Sequence, residues 1–222
     1  MSRLIGALNS GAALIADVTG RGAELVRAVA SGGVTGIACR VSGAGSHWQR
    51  SIDQITLGGQ AVPWGITMDP EDPPGEGVLL DLIDRGADFV VMPADTFPAW
   101  GLDVLESFPK VGRVISVPHD LSGEVIQAME TLGPQAIVVR MGEEGLTIGA
   151  LSRARIVVES VGVRVLAWAP SITSRDTRML RQVGFGGCVV DVGAEDPERV
   201  LGRLHELVSV LAEPVLLRRP LT

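Results

Sequence analysis

Tyrosine is absent from the 222-residue chain, and Lys110 is its one lysine against eighteen arginines. Those two shortages close off mechanisms that need a Schiff-base lysine, pyridoxal phosphate chemistry included, or a tyrosine acid. Cysteine is scarce too. Cys39 and Cys188 each sit inside an apolar run, with no metal-ligand spacing, and read as two buried thiols of a reducing compartment. Basic charge falls short of acidic: Lys+Arg is 19, Asp+Glu is 26, and the net charge is −7. An acidic chain lacks the footprint of a nucleic-acid binder and is repelled by an anionic membrane surface. Long apolar runs are missing as well. The opening stretch is interrupted by Asn9, Ser10 and Gly11 and soon reaches Asp17, which suits neither a signal peptide nor a membrane span. A cytoplasmic protein is expected. What the chain does have is 46 % apolar and 20 % charged residues, enough for a large core and too apolar for a disordered chain. Its length favours one domain, residues 1–222.

The organising signal is a repeat. A short β-branched run follows a glycine-containing turn, and a longer amphipathic run follows it. Strands are predicted at Ala13–Val18, Gly36–Val41, Val62–Met68, Asp88–Met92, Arg113–Val117, Ala136–Met141, Arg164–Ala169 and Cys188–Val192. Their starts lie roughly 22–28 residues apart, the length of one strand, one helix and two loops. Apolar residues at three- and four-residue spacing predict helices over Ala23–Ala30, Gly77–Arg85, Gly123–Leu132, Ile148–Val161, Arg175–Val183 and Pro197–Leu211. Gly162 and Gly184 stand where helices should stop, and Asp196–Pro197 where the last should start. Gly45–Leu57 and Pro98–Ser107 carry weaker helical patterns.

Strands alternating with helices form parallel sheets. Runs such as FVVM, AIVV and CVVD are apolar at successive positions, as strands buried on both faces require. Eight such units fit a closed (βα)8 barrel, the TIM-barrel architecture, compact and with little room for inserted domains. A doubly wound open sheet is the alternative, although it more often uses fewer strands, and no Gly-x-Gly-x-x-Gly opens a helix near the N-terminus.

In such barrels chemistry collects at the C-terminal strand ends. Read in order, those ends carry Asp17, Arg40, Asp69, Asp95, His119 with Asp120, Arg140 with Glu143 and Glu144, Trp168 with Ser171, and Asp191. Because the eighth strand closes beside the first, Asp191, Asp17, Arg40 and Asp69 fall on one arc of the rim, and His119, Arg140 and Trp168 on the other. Arg40 and Arg140 are candidate anion binders, since guanidinium matches a carboxylate or phosphate at two points. The alternative is salt bridges across the mouth, Arg40 with Asp17 or Asp69 and Arg140 with Glu143. Asp17, Asp69 and Asp191 could hold Mg²⁺ or Mn²⁺ through oxygen ligands; otherwise Asp17 and Asp69 cap loops or helices. His119 is the candidate general acid or base, with a solvated loop imidazole as the alternative. Asp17 and Asp191 are further catalytic candidates, and Trp168 and Ser171 join the arginines as substrate-binding candidates. His47, beside Trp48, is a second rim histidine or part of a lid, whereas His205 reads as surface. The loops after the last two strands, APSITSRD and VGAEDPE, offer hydroxyls and one glycine to a phosphate or FMN. Glu195, Asp196 and Glu198 would repel an anion there, so FMN stands behind the divalent metals. Phe97 and Trp100 in PADTFPAWG suggest a lid, a subunit contact or plain packing. The apolar tail Pro214–Thr222 suggests cover for the barrel base or a homodimer partner.

Segments such as GADFVVMP and GFGGCVVDVG, set in the eight-unit rhythm, resemble the aldolase-type TIM-barrel superfamily over nearly all 222 residues. The resemblance implies the barrel fold and a site at its C-terminal mouth. Motifs of particular members are not intact. Lys110 stands before a strand rather than at its end, where class I aldolases place theirs. The Glu and Asp on neighbouring strands of metal-dependent pyruvate aldolases have no clear counterpart. Trp168 and Asp191 are similar to the closing strands of glycerophosphodiesterases, whose opening His-Arg-Gly is missing. Two functions are therefore expected. One is a lyase or isomerase acting on a small carboxylated or phosphorylated metabolite. The other is a non-catalytic barrel that binds a ligand or a partner protein.

Overall fold

A computed structural model describes residues 1–43, 47–58, 61–142, 146–169, 171–193 and 196–214. Eight parallel strands close into a barrel in sequence order: β1 (Ala13–Asp17), β2 (Gly36–Val41), β3 (Trp64–Met68), β4 (Phe89–Pro93), β5 (Gly112–Pro118), β6 (Ala136–Arg140), β7 (Arg164–Ala169) and β8 (Gly187–Asp191). The closing pair runs in continuous register from Ala13 opposite Gly187 to Asp17 opposite Asp191. Helices α2 (Ala23–Ser31), α3 (His47–Gly58), α4 (Glu76–Asp84), α5 (Trp100–Glu106), α6 (Gly123–Glu130), α7 (Ile148–Ser160), α8 (Ser174–Val183) and α9 (Pro197–Ala212) each follow a strand. The open-sheet alternative is thereby excluded, and both weakly patterned helices form. The third strand starts at Trp64 rather than Val62, because Pro63 has no N–H to give to a ladder. Phe97 and Trp100 are half-buried against the outer core, their ring centroids 6.3 Å apart, which is the packing alternative.

Side-chain alternation sorts the strands into two cores. Leu14, Ala16, Ile37 and Cys39 face outward to the helices, while Ile15, Ala38, Val91, Val138 and Val189 fill the barrel. Phe89 occupies the lower interior and is fully buried. Its space is left by glycines on the neighbouring strands: a Cβ on Gly65 would lie 2.5 Å from the Phe89 ring, and one on Gly112 3.1 Å from its Cβ. Bulky and minimal residues thus alternate around the taper.

One helix was not expected from the sequence. α1 (Arg3–Ser10) precedes the first strand and buries Leu4, Ile5 and Leu8 against the inner core. Its start is bound to Asp88, just before β4. That carboxylate accepts from Ser2 Oγ at 2.6 Å and from the Arg3 and Leu4 amides at 2.9 Å each. An anion at a helix N-terminus satisfies donors the helix itself cannot. The base of the barrel is therefore covered by the N-terminal helix. Residues 215–222, proposed for that role from sequence, lie outside the described residues.

Candidate functional site

The mouth holds a cavity of about 260 Å³ lined by Arg40, Thr67, Met68, Pro70, Pro93, Ser116, Arg140, Met141, Trp168 and Asp191. Most of these come from the last inward-facing position of their strands, which is why strand-end reading found several of them. Arg40 and Thr67 are register partners, as are Pro93 and Ser116, and Arg140 and Trp168.

The arginines behave differently. Arg40 reaches across the mouth and lays its guanidinium over the Trp168 indole, with Cζ 5.4 Å from the ring centroid. The contact joins the two arcs of the rim. Among the described residues Arg40 has no ion-pair partner, and neither salt bridge expected for it forms. A guanidinium stacked on an aromatic face still presents its edge N–H groups to a ligand. Arg140 pairs with Asp95, Nη2 to Oδ2 at 3.3 Å, and Glu143, its expected partner, lies outside the described residues. The Arg140 Nε is buried and, like the Ser116 hydroxyl, finds no hydrogen-bond partner among the described residues. Ser116 is only 2 % exposed. Buried polar atoms without partners are uncommon in native proteins, and such a pair on one cavity wall marks a place where a ligand or water belongs.

The three rim aspartates share a local design. Asp17 Oδ1 accepts from the Thr19 amide at 3.0 Å, Asp69 Oδ1 from Glu71 at 2.9 Å, and Asp191 Oδ1 from Gly193 at 2.7 Å. Each is an aspartate turning the chain at the strand end through the amide two residues on. Asp17 is buried, and its carboxylate also accepts from the Thr19 hydroxyl. Burial pushes its pKa up from the ordinary 3.8, against the opposing pull of the Thr19 bonds and Arg40. The Thr19 hydroxyl in turn accepts from the Arg40 amide at 2.6 Å, so Asp17 braces the backbone of β2 where Arg40 leaves it. Asp69 lines a separate niche of about 120 Å³ with Thr19, Gly20, Arg40, Ser42 and Trp48. Asp17 and Asp69 each give one oxygen to a turn. Among the described residues no three His, Cys, Asp or Glu side chains gather about a point that could hold a metal ion.

Among the described residues Asp191 is the one carboxylate on the cavity wall. Arg21 approaches its Oδ1 at 3.7 Å, and among the described residues its Oδ2 carries no bond. His119 lies at the mouth but does not line the cavity. Arg153 Nη2 stands 3.3 Å from its Nε2, and the Arg140 carbonyl lies 3.3 Å from its Nδ1. A guanidinium can only donate, so this arrangement puts the ring proton on Nδ1. Ser171 is exposed and also outside the cavity. His47's side chain and Glu143, Glu144 and Glu195 lie outside the described residues. Sequence reading missed Thr67, Ser116 and Arg21. A hydroxyl residue in an otherwise apolar strand, as in GITM and VISV, was the available signal for the first two.

The loops after β7 and β8 are occupied by the chain's own groups. Thr173 and Asp176 form a reciprocal capping box at the start of α8. Asp196 caps α9, with Pro197 in its first turn and Glu198 beside it. Among the described residues these caps take the Thr173, Asp176 and Glu198 amides, Pro197 has none, and the charge there is acidic.

No family model and no curated protein matches the chain. Its structure is similar to that of thiamine phosphate pyrophosphorylase from Pyrococcus furiosus, with 21 % identity, TM-score 0.64, and coverage of 90 % of this chain and 95 % of that one. It is similar to a chain of tryptophan synthase from Mycobacterium tuberculosis, with 15 % identity, TM-score 0.75, and coverage of 96 % and 99 %. It is also similar to GGGPS from Thermoplasma volcanium, with 10 % identity, TM-score 0.69, and coverage of 95 % and 98 %. These likenesses establish the TIM-barrel fold, in agreement with the resemblance read from sequence. Fold does not carry the reaction with it.

Proposed function

We propose that the barrel mouth binds a small anionic metabolite and moves a proton on it, as a lyase or isomerase does. The observation that carries the reading is one cavity that gathers, among the described residues, two arginines, an unpartnered buried hydroxyl and a single carboxylate. Arg40, held on Trp168, anchors the anionic end. Asp191 Oδ2 is the base and takes a proton from a carbon next to the ligand's carbonyl or carboxyl group. The electron pair left behind moves onto that oxygen, where Arg140 Nε and the Ser116 hydroxyl meet it with fixed donors. Returning the proton to a neighbouring atom completes an isomerisation. Expelling a group from the next carbon completes an elimination. No step is routed through a metal ion. The enzyme neighbours make catalysis on this fold reasonable without selecting the reaction.

The test is proton exchange. Small 2-oxo acids are incubated with the protein in D₂O, and loss of the C3 proton signal is followed by NMR. The wild type is expected to exchange, Asp191→Asn to bind without exchanging, and Arg40→Met to do neither. His119→Ala in the same assay compares the two candidate bases. Binding without exchange in the wild type would select the ligand-binding barrel instead.

A further inference from the structure

The charge around the cavity is sparse, and this limits what the anion can be. Among the described residues, Arg140 is already matched by Asp95, and Asp191 faces Arg21. Among the described residues Arg40 is the cavity cation with no carboxylate at ion-pair distance, although buried Asp17 feels its charge, and Asp191 stands on the same wall. Those residues therefore offer at most about one uncompensated positive charge. A phosphate monoester carries roughly −1.5 to −2 at pH 7 and needs several donors, commonly backbone amides. Here the Thr173 and Asp176 amides at the start of α8 bond each other's side chains, and at the start of α9 Asp196 takes the Glu198 amide while Pro197 has none to give. A carboxylate carries one charge in one plane and is satisfied by the edge of one guanidinium. Arg40 has that edge available because its face is on Trp168. Beside the arginines the lining includes Met68, Pro93, Met141 and Trp168 along with Thr67, a largely apolar surface that suits a carbon body. The volume of about 260 Å³ corresponds to about nine waters at ~30 Å³ each.

Building on the reading of the mouth as an anion site, we infer that its ligand is a small monocarboxylate rather than a phosphate ester. Arg40 takes the carboxylate edge-on, an apolar body rests on the methionines and Trp168, and one carbonyl or hydroxyl oxygen meets Ser116.

Matched pairs of probes decide this. Benzoate and phenyl phosphate share a body, as do 2-oxobutanoate and glycerol phosphate in size. Binding of each is measured by calorimetry at pH 7.5 to wild type, Arg40→Met, Arg40→Lys and Ser116→Ala, with circular dichroism confirming the fold of each variant. The carboxylates are expected to bind at least about tenfold more tightly than their phosphate counterparts. Arg40→Met should abolish that binding, and Arg40→Lys, which keeps charge but loses the planar fork, should weaken it about tenfold. Ser116→Ala should weaken 2-oxobutanoate and leave benzoate unchanged. Equal or tighter binding of the phosphates, still lost in Arg40→Met, overturns the monocarboxylate class and leaves the mouth as an anion site. Binding that survives Arg40→Met, or no binding of either set at about 10 mM, overturns both.

Discussion

Asp88→Ala tests whether the N-terminal helix is part of the barrel or an appendage. In the wild type the carboxylate is 10 % exposed and receives three hydrogen bonds, from Ser2 Oγ and the Arg3 and Leu4 amides. Its contact with the Arg3 side chain, 3.7 Å long and half in solvent, adds little. A bond to a charged group is worth about 1.5–3 kcal/mol net, but three on one carboxylate do not add, and fraying of the first turn lets water replace part of them. The expected loss is about 2–3 kcal/mol. Complete undocking is not expected, because Leu4, Ile5 and Leu8 each contribute about 1.5–3 kcal/mol by burial, more together than the lost bonds. Thermal and urea unfolding of the variant should show a Tm lower by about 4–12 °C, at about 2–4 °C per kcal/mol for a chain this size, with an unchanged urea slope. Asp88→Asn, which keeps an acceptor but not the charge, should fall between the variant and wild type. Hydrogen exchange should accelerate at Arg3 and Leu4 and stay slow at Leu8. A Tm within about 1 °C of wild type would refute the reasoning. Fast exchange along all of α1 would show instead that the apolar contacts are weaker than their burial implies.

Gly65→Ala puts a Cβ 2.3 Å from the Phe89 carbonyl oxygen and 2.5 Å from its ring, and should cost about 1–3 kcal/mol in urea unfolding. Adding Phe89→Leu should recover part of that loss but not the backbone clash. The thiols of Cys39 and Cys188 are pushed up to about 12 by burial; a disulfide reagent at pH 8 should leave both unmodified until denaturant is added. Asp17 has a raised folded pKa, so its contribution to stability is full below 3.8 and is lost as pH rises through the folded value. Asp17→Asn keeps an acceptor for Thr19 and should be at least as stable as wild type at pH 7, with the difference shrinking as the two are acidified toward pH 4. A constant difference across that range would show that Asp17 does not titrate there.

The barrel was legible because its signal is repeated eight times. Each buried strand is a short apolar run, each helix has its own stripe, and the unit length admits few architectures. α1 escaped because its signal is shorter than its neighbours' and interrupted: RLIGALNS holds three buried apolar residues and a central glycine, and what fixes it is Asp88, about 85 positions away. Side-chain pairing was legible only where it is local. The aspartate turns at residues 17, 69 and 191 join residues two apart, and for Asp17 and Asp69 the sequence offers capping as an alternative to metal binding. Arg40 lying on Trp168, and Arg140 pairing with Asp95, depend on which way long side chains lean across a closed mouth. No sequence spacing encodes that.

The same geometry narrows the chemistry more than the rim inventory did. A polar rim suggests many acids and bases, but most of these groups are engaged in structure. Asp17 is buried under Thr19, Asp69 turns its loop beside a separate niche, Asp95 neutralises Arg140, and His119 has both ring nitrogens against Arg153 and the Arg140 carbonyl. Among the described residues Asp191 alone combines a place on the cavity wall with an oxygen that its turn and Arg21 do not use. A proton-transfer site with one base and one uncompensated cation should be sensitive to both in different ways. Loss of the Asp191 charge should remove turnover while improving anion binding, because the cavity then becomes more positive. Loss of Arg40 should remove binding itself. If Asp191→Asn instead weakens binding, the carboxylate is an acceptor for a ligand hydroxyl or amine, and the assignment of Asp191 as base fails.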